Sequence, residues 1–196
     1  SESNFDFYAG SDFVNPTNKN AKDGKTYESL YDLTAKAGYT LARGYKDYQK
    51  KAKKAEKMIL FQSEAASAKD NGSIPYAIDR QKGDMTLSEI TRAGINFLSK
   101  NNDKGFFLMV EGSCIDDWCH ANKVGYAVEE ILDFDRTVGV VLEWAAKDGE
   151  TLVIVTADHS TGGMTLLGGN VAGQSVAVNY ANTGHNGVAL PVYAWG

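Results

Sequence analysis

Short apolar runs alternate with amphipathic and polar stretches along most of the chain. Six apolar runs predict β-strands, near residues 5–8, 39–42, 58–61, 105–110, 152–155 and 190–194. The runs 105–110 and 152–155 are continuously apolar, as is typical of strands in a parallel sheet that is covered on both faces. Strands that alternate with helical segments predict an α/β fold with a largely parallel sheet.

Helical periodicity occupies much of the remaining sequence. It covers the segments 27–37, 45–57, 86–98 and about 122–147. Thr86 and Glu89 have the spacing of a capping box, which predicts the start of the third helix. The last helix is expected to bury one face, formed by Val128, Ile131, Leu132, Asp135, Val138, Leu142 and Ala145. Residues 62–85 are expected to form a polar connection, and the glycine-rich segment 162–184 is expected to form a loop or small excursion.

Composition places the chain among globular proteins. It has 196 residues, of which 43% are hydrophobic, and no linker divides it, so a single domain over 1–196 is expected. The net charge of −5 argues against binding of nucleic acid or anionic membranes, and no apolar run is long enough to span a membrane. Anionic substrates stay possible because a bound metal can invert the local field. Cys114 and Cys119 are expected to be free packing residues.

All three histidines lie in motifs that contain carboxylates or glycines. His120 follows Asp116 by four residues, a spacing that puts both on one face of a helix. His159 directly follows Asp158, and His185 follows a glycine. Imidazole and carboxylate groups together form a ligand set for a zinc-like divalent ion.

Two of these motifs follow predicted strands. Glu111 comes directly after the run 105–110, and Asp158 comes shortly after 152–155. Sites in α/β sheets gather at the carboxyl ends of strands. The acidic and imidazole side chains are therefore expected to converge at one edge of the sheet.

The same motifs resemble those of a known family. The resemblance rests on 105–112, on Ile115-Asp116 with His120, on 152–159 with Gly162-Gly163, on Gly184-His185 and on 191–196. Their order and spacing resemble the carboxyl-terminal half of an alkaline phosphatase. The segments 5–10, 74–80 and 86–98 are also similar to the family. The resemblance implies an incomplete three-layer α/β/α domain, and the chain is expected to be part of a longer protein.

That family hydrolyses phosphate monoesters with two zinc ions and one magnesium ion. The ligands implied by the resemblance are Asp116, His120 and His185 for the first zinc, Asp158 and His159 for the second, and Glu111 for magnesium. Two metals about 4 Å apart can clamp the attacking and leaving oxygens of a displacement. The resemblance also implies a phosphate monoester substrate, a possible homodimer and a periplasmic or secreted location.

The sequence departs from the family at the nucleophile. The family uses a serine in an Asp-Ser-Ala context, and no Asp-Ser pair occurs in this sequence. Ser113 and Ser160 lie near ligand motifs but lack that context, so both are expected to be ordinary turn residues. No catalytic residue is therefore assigned, and the polypeptide alone is expected to be inactive.

A second departure follows the first zinc aspartate. Family members often carry a basic or imidazole residue there, whereas this chain has Asp117, which would repel phosphate. Trp118 either walls the pocket or covers apolar surface at its rim. Two alternatives to a phosphatase are a non-catalytic zinc-binding module and a related hydrolase such as a sulfatase or nucleotide phosphodiesterase.

Overall fold

The chain forms two compact units. The computed structural model describes residues 3–20, 22–67, 74–173 and 175–196. The first unit comprises Ser1–Pro75 and Asp79–Val110, and the second comprises Tyr76–Ile78 and Glu111–Gly196. A 3₁₀ turn covers Ala77–Asp79. A single catalytic domain over 1–196 stays a prediction.

A parallel sheet organises the first unit. Its elements are β1 (Phe7–Gly10), α1 (Leu30–Lys36), β2 (Tyr39–Arg43), α2 (Gly44–Lys51), β3 (Lys57–Phe61), α3 (Glu64–Ser67) and α4 (Leu87–Leu98). The strands lie in the order β1-β3-β2, and Leu60 pairs with Ala9 on one side and Ala42 on the other. The apolar run predicted at 58–61 therefore forms the central strand, and the predicted α/β class is confirmed.

The core of the first unit lies between this sheet and α4. Met58 and Leu60 are fully buried, and Ala93 and Phe97 of α4 belong to the same cluster. The helix begins at the predicted capping box, where the Thr86 hydroxyl accepts a hydrogen bond from the Glu89 amide at 3.1 Å. Reciprocal capping satisfies backbone donors that a helix start leaves unpaired.

The prediction of a strand over 105–110 is wrong. This run contains no strand, and no strand of the described residues pairs with it. Its side chains still alternate, because Phe107 and Met109 are exposed while Phe106 and Leu108 are partly buried. A period of two is the pattern of an extended segment with one open face. The segment is therefore extended, as an apolar run predicts, but it lacks the hydrogen-bonded neighbour among the described strands that would make it a β-strand.

Antiparallel pairs and two helices form the second unit. Its elements are α5 (Cys114–His120), α6 (Val124–Asp148), β4 (Val153–Val155), β5 (Ser160–Thr161), β6 (Met164–Asn170), β7 (Ser175–Tyr180), β8 (His185–Asn186) and β9 (Tyr193–Trp195). The pairs are β4–β9, β5–β8 and β6–β7. Most of the segment 162–184, for which a loop or small excursion is predicted, forms the β6–β7 hairpin. A register shift between Leu166 and Gly168 breaks the alternation by which a strand is recognised.

The long helix α6 buries a different face from the one predicted. Its buried residues are Ala127, Glu130, Asp133, Thr137, Val140 and Ala145, and of the predicted face only Ala145 is buried. The Glu130 carboxylate accepts a hydrogen bond from the Ala77 amide at 2.7 Å. Polar groups can be buried when they are hydrogen-bonded in this way. A prediction from hydrophobicity alone therefore gave the wrong buried face of α6.

None of the helices in the described ranges is long and apolar enough to cross a membrane. Even α6, at 25 residues, carries too many charged side chains for a span.

The buried amide of Gln62 generates a stability prediction. This fully buried side chain donates to the Met85 carbonyl at 2.8 Å and accepts from the Met85 amide at 2.9 Å. We expect Gln62→Leu to lower the free energy of unfolding by about 2–4 kcal/mol, because it leaves two buried backbone groups unpaired. Urea unfolding measures the change. The exposed Gln49→Leu in α2 is the matched control and should stay within about 0.5 kcal/mol of wild type, and equal effects of the two substitutions would contradict the account.

Candidate metal centre

Helix α5 places the first two predicted ligands side by side. The segment is helical as the four-residue spacing requires, and Asp116 and His120 share a face. The Asp116 Oδ2 atom lies 3.2 Å from His120 Nε2. Both side chains are about two-fifths exposed, at 38%, so an ion can reach them from solvent.

The third predicted ligand is brought in by a short strand pair. In the β5–β8 pairing, Thr161 lies opposite His185. His185 Nε2 is 3.0 Å from His120 Nε2 and 3.7 Å from Asp116 Oδ1. Ligand atoms of Asp116, His120 and His185 all lie within 4.8 Å of one another. The structure thus brings together three residues separated by up to 69 positions in the sequence (116 to 185).

The orientation of His120 exposes a ring nitrogen to the cluster. Its Nδ1 is hydrogen-bonded to the carbonyl of Thr183. A carbonyl only accepts, so Nδ1 carries the hydrogen and Nε2 of the neutral ring carries a lone pair. That lone pair faces the Asp116 carboxylate, and a contact between two acceptors needs a proton or a metal cation between them. A carboxylate with two imidazoles is a donor set that fits zinc.

Asp158 and His159 lie beside this group. The Asp158 Oδ2 atom is 3.3 Å from His159 Nε2, and His159 Nδ1 is 4.0 Å from Asp116 Oδ1. The His159 ring stacks on His185 with 3.6 Å between centroids. Asp158 itself is largely exposed, at 87%. Glu111 is exposed and lies outside the cluster of three side chains among the described residues that could hold a metal ion.

Gly162 is hydrogen-bonded to the segment that carries His185 and lies close to the end of α5. Its amide donates to the Gly184 carbonyl at 2.9 Å, and its carbonyl accepts from the Asn182 amide at 3.2 Å. Its φ of +77° is in the left-handed region, and a Cβ atom there would lie 2.8 Å from the Cys119 carbonyl oxygen. Only glycine fits this position without displacement of the backbone.

The two cysteines are free, as predicted, and Cys114 is buried. Burial, and secondly the negative charge of Asp116, raise the pKa of the Cys119 thiol. Cys119 lies one residue from His120 but outside the group of side chains whose ligand atoms converge.

Trp118 packs among aromatic side chains. Its ring lies 4.6 Å from that of Tyr76 and 4.0 Å from that of Tyr126, centroid to centroid. This packing favours the alternative in which Trp118 covers apolar surface at the rim of the pocket, rather than the one in which it forms a wall of the pocket. Its neighbour Asp117 is exposed.

Neither candidate serine occupies a special position. Ser160 lies in β5 and its hydroxyl accepts a hydrogen bond from Asn186 Nδ2 at 3.2 Å. Ser113 is the N-terminal flanking residue of α5. These surroundings agree with ordinary structural roles.

Thr161 is a residue of the site that the sequence motifs did not indicate. Its hydroxyl is hydrogen-bonded to Asp116 Oδ1 and lies 3.1 Å from His159 Nδ1. One signal was available, because residues two apart in an extended segment point to the same side, which places Thr161 with His159.

Comparison with known proteins shows the family of the chain. The sequence matches the family model described as alkaline phosphatase over residues 8–194. The fold and the family model together define the class, and the chain belongs to the alkaline phosphatase family.

Individual relatives match only in part of their length. The chain is 40% identical to alkaline phosphatase 3 of Bacillus subtilis over 67% of its own length and 26% of that protein. It is 38% identical to alkaline phosphatase of Escherichia coli over 65% of its length and 31% of that protein. The structure of alkaline phosphatase from the Antarctic bacterium TAB5 matches all of the chain with a TM-score of 0.80 and 35% identity, over 54% of that chain. The chain thus spans about half of this solved relative.

The position of Gly162 generates the second prediction. We expect Gly162→Ala to lower the free energy of unfolding by about 1–3 kcal/mol, because the substitution strains a left-handed residue and meets the Cys119 carbonyl. Gly187→Ala is the control, since no atom lies within 4 Å of its Cβ position. Urea unfolding of both variants measures the difference. Equal stability of the two variants would show that Gly162 does not hold this segment.

Proposed function

We propose that this chain forms the metal-binding part of an alkaline phosphatase, an enzyme that hydrolyses phosphate monoesters with two zinc ions and one magnesium ion. The observation that carries the proposal is the convergence of Asp116, His120 and His185 within 4.8 Å. Membership of the alkaline phosphatase family supports it independently.

The proposed ligands divide among three metals. They are Asp116, His120 and His185 for the first zinc, Asp158 and His159 for the second, and Glu111 for magnesium. Two imidazoles and one carboxylate leave a position open on the first zinc, as in other catalytic zinc centres. A variant of the TAB5 enzyme has been solved with magnesium bound in its M3 site, which supports metal dependence in the family.

The residues of this chain would orient the metals and the substrate. Bound metals supply Lewis acidity and offset the negative charge of the phosphate oxygens. The hydrogen bond from His120 to the Thr183 carbonyl fixes which ring nitrogen faces the metal, as supporting residues do at other metal sites. Asp117 adds an exposed negative charge beside the cluster, so phosphate binding is expected to depend strongly on the metals.

The remaining alternatives differ in their support. The family match leaves a sulfatase or a nucleotide phosphodiesterase without support. A non-catalytic zinc-binding module stays the second candidate for this polypeptide, because its sequence contains no Asp-Ser pair. A periplasmic or secreted location and a homodimer are proposed from the family alone.

Zinc titration tests the proposed first site. We expect the metal-free 196-residue chain to bind one zinc ion best at Asp116, His120 and His185, with weaker binding at the second site and little binding of magnesium. His120→Ala and Asp116→Asn should each weaken the tightest binding by more than the about 10- to 100-fold typical of supporting residues. Calorimetry gives the stoichiometry and affinity.

The adjacent carboxylate provides the matched control. Asp117→Asn makes the same chemical change on the same helix, but Asp117 lies outside the cluster. We expect it to keep the wild-type zinc affinity. Unchanged tight binding in His120→Ala, or an equal loss in Asp116→Asn and Asp117→Asn, would refute the site.

Hydrolysis of an aryl phosphate tests the activity of the chain. We expect the zinc- and magnesium-loaded chain to show no turnover, because it has no positioned nucleophile to form a covalent intermediate. The rate of aryl alcohol release at increasing protein concentration measures this. A rate that scales with protein and is lost in Ser113→Ala or Ser160→Ala would overturn the expectation.

A further inference from the structure

Thr161 occupies a buried position between the two proposed zinc sites. It is 9% exposed and lies in β5 opposite His185. Its hydroxyl contacts a residue of each site, because it is hydrogen-bonded to Asp116 Oδ1 and lies 3.1 Å from His159 Nδ1.

The chemistry of these groups fixes the direction of both hydrogen bonds. An ionised carboxylate has no hydrogen and only accepts, so the one hydroxyl hydrogen of Thr161 points to Asp116. The same oxygen then has only lone pairs to offer His159. The Nδ1 atom of His159 must therefore carry the hydrogen and donate it to Thr161, which leaves a lone pair on Nε2 of the neutral ring.

This arrangement prepares both sites for a metal. On the His159 side, the free Nε2 lies 3.3 Å from Asp158 Oδ2, so the second pair presents two acceptors to the same region. On the Asp116 side, the hydroxyl engages Oδ1, while Oδ2 faces His120 Nε2 at 3.2 Å. One hydroxyl thus orients a carboxylate and selects the tautomer of an imidazole.

We propose that Thr161 is a positioning residue that couples the two zinc sites through the relay His159 Nδ1–H to Thr161 Oγ1–H to Asp116 Oδ1. The proposal rests on the proposed metal centre for its effect on zinc, but the relay itself is a property of the metal-free chain. Hydrogen-bonded partners of ligands commonly fix ring orientation and tautomer at metal sites.

A purely packing role makes a different prediction. Valine is β-branched like threonine, so Thr161→Val keeps the side-chain shape and replaces the hydroxyl with a methyl group that cannot hydrogen-bond. Thr161→Ser keeps the hydroxyl and removes a methyl group. The relay requires the serine variant to resemble wild type and the valine variant to differ, whereas packing alone requires the reverse order.

The direct test is the tautomer of His159 in metal-free protein. Nitrogen-15 NMR of the histidine rings, in alkaline buffer where they are neutral, distinguishes Nδ1–H from Nε2–H. We expect Nδ1–H at His159 in wild type and in Thr161→Ser. In Thr161→Val we expect a shift toward Nε2–H, because Nδ1 has lost its acceptor while Nε2 still faces the Asp158 carboxylate.

Zinc titration adds the functional readout. We expect Thr161→Val to weaken zinc binding about 10- to 100-fold, as mutation of supporting residues does, and Thr161→Ser to restore most of the affinity. Wild-type zinc affinity in Thr161→Val, or Nε2–H at His159 in the wild-type chain, would overturn the proposal. The wild-type spectrum decides the relay even where a variant fails to fold, and a chain that shows the relay but binds no zinc would refute the metal centre instead.

Discussion

The negative charge of the Asp116 carboxylate must be balanced, and this requirement governs the arrangement of the candidate site. Three histidine ring nitrogens surround the carboxylate. His120 Nε2 lies 3.2 Å from one of its oxygens, and His185 Nε2 and His159 Nδ1 lie 3.7 and 4.0 Å from the other. A negative charge among imidazoles is stable when a cation shares the space or when the rings are protonated. All three histidines of the chain lie near this one carboxylate, an arrangement that agrees with the proposed zinc centre.

Backbone geometry makes this gathering possible. Helix α5 is only seven residues long, yet it presents Asp116 and His120 on one face. The β5–β8 pair then fixes the position of His185. Gly162 is hydrogen-bonded to the segment before His185, in a conformation that other residues rarely adopt and that lets the backbone pass close to α5. The candidate site is therefore built on short local elements that main-chain hydrogen bonds hold in place.

Local patterns predicted most of the architecture and all three members of the converging cluster. The capping box at Thr86 and the spacing of Asp116 and His120 were readable because each is set by residues three or four apart. The sequence failed where distant partners decide the outcome. The run 105–110 has no pairing strand within the part of the chain that the structure describes, and α6 buries Glu130, which accepts a hydrogen bond from the Ala77 amide. Thr161 was missed because its role depends on Asp116, which lies 45 positions away in the sequence.

The most direct measurement of the central claim is X-ray absorption at the zinc edge of the chain loaded with one zinc ion. A site formed by Asp116, His120 and His185 predicts nitrogen and oxygen neighbours at about 2.0–2.2 Å, with the multiple scattering of imidazole rings and no sulfur shell. Asp116→Asn should alter this first shell, and Asp117→Asn should leave it unchanged. A zinc–sulfur distance of about 2.3 Å, which would place Cys119 or Cys114 on the metal, or a shell without imidazole, would contradict the account.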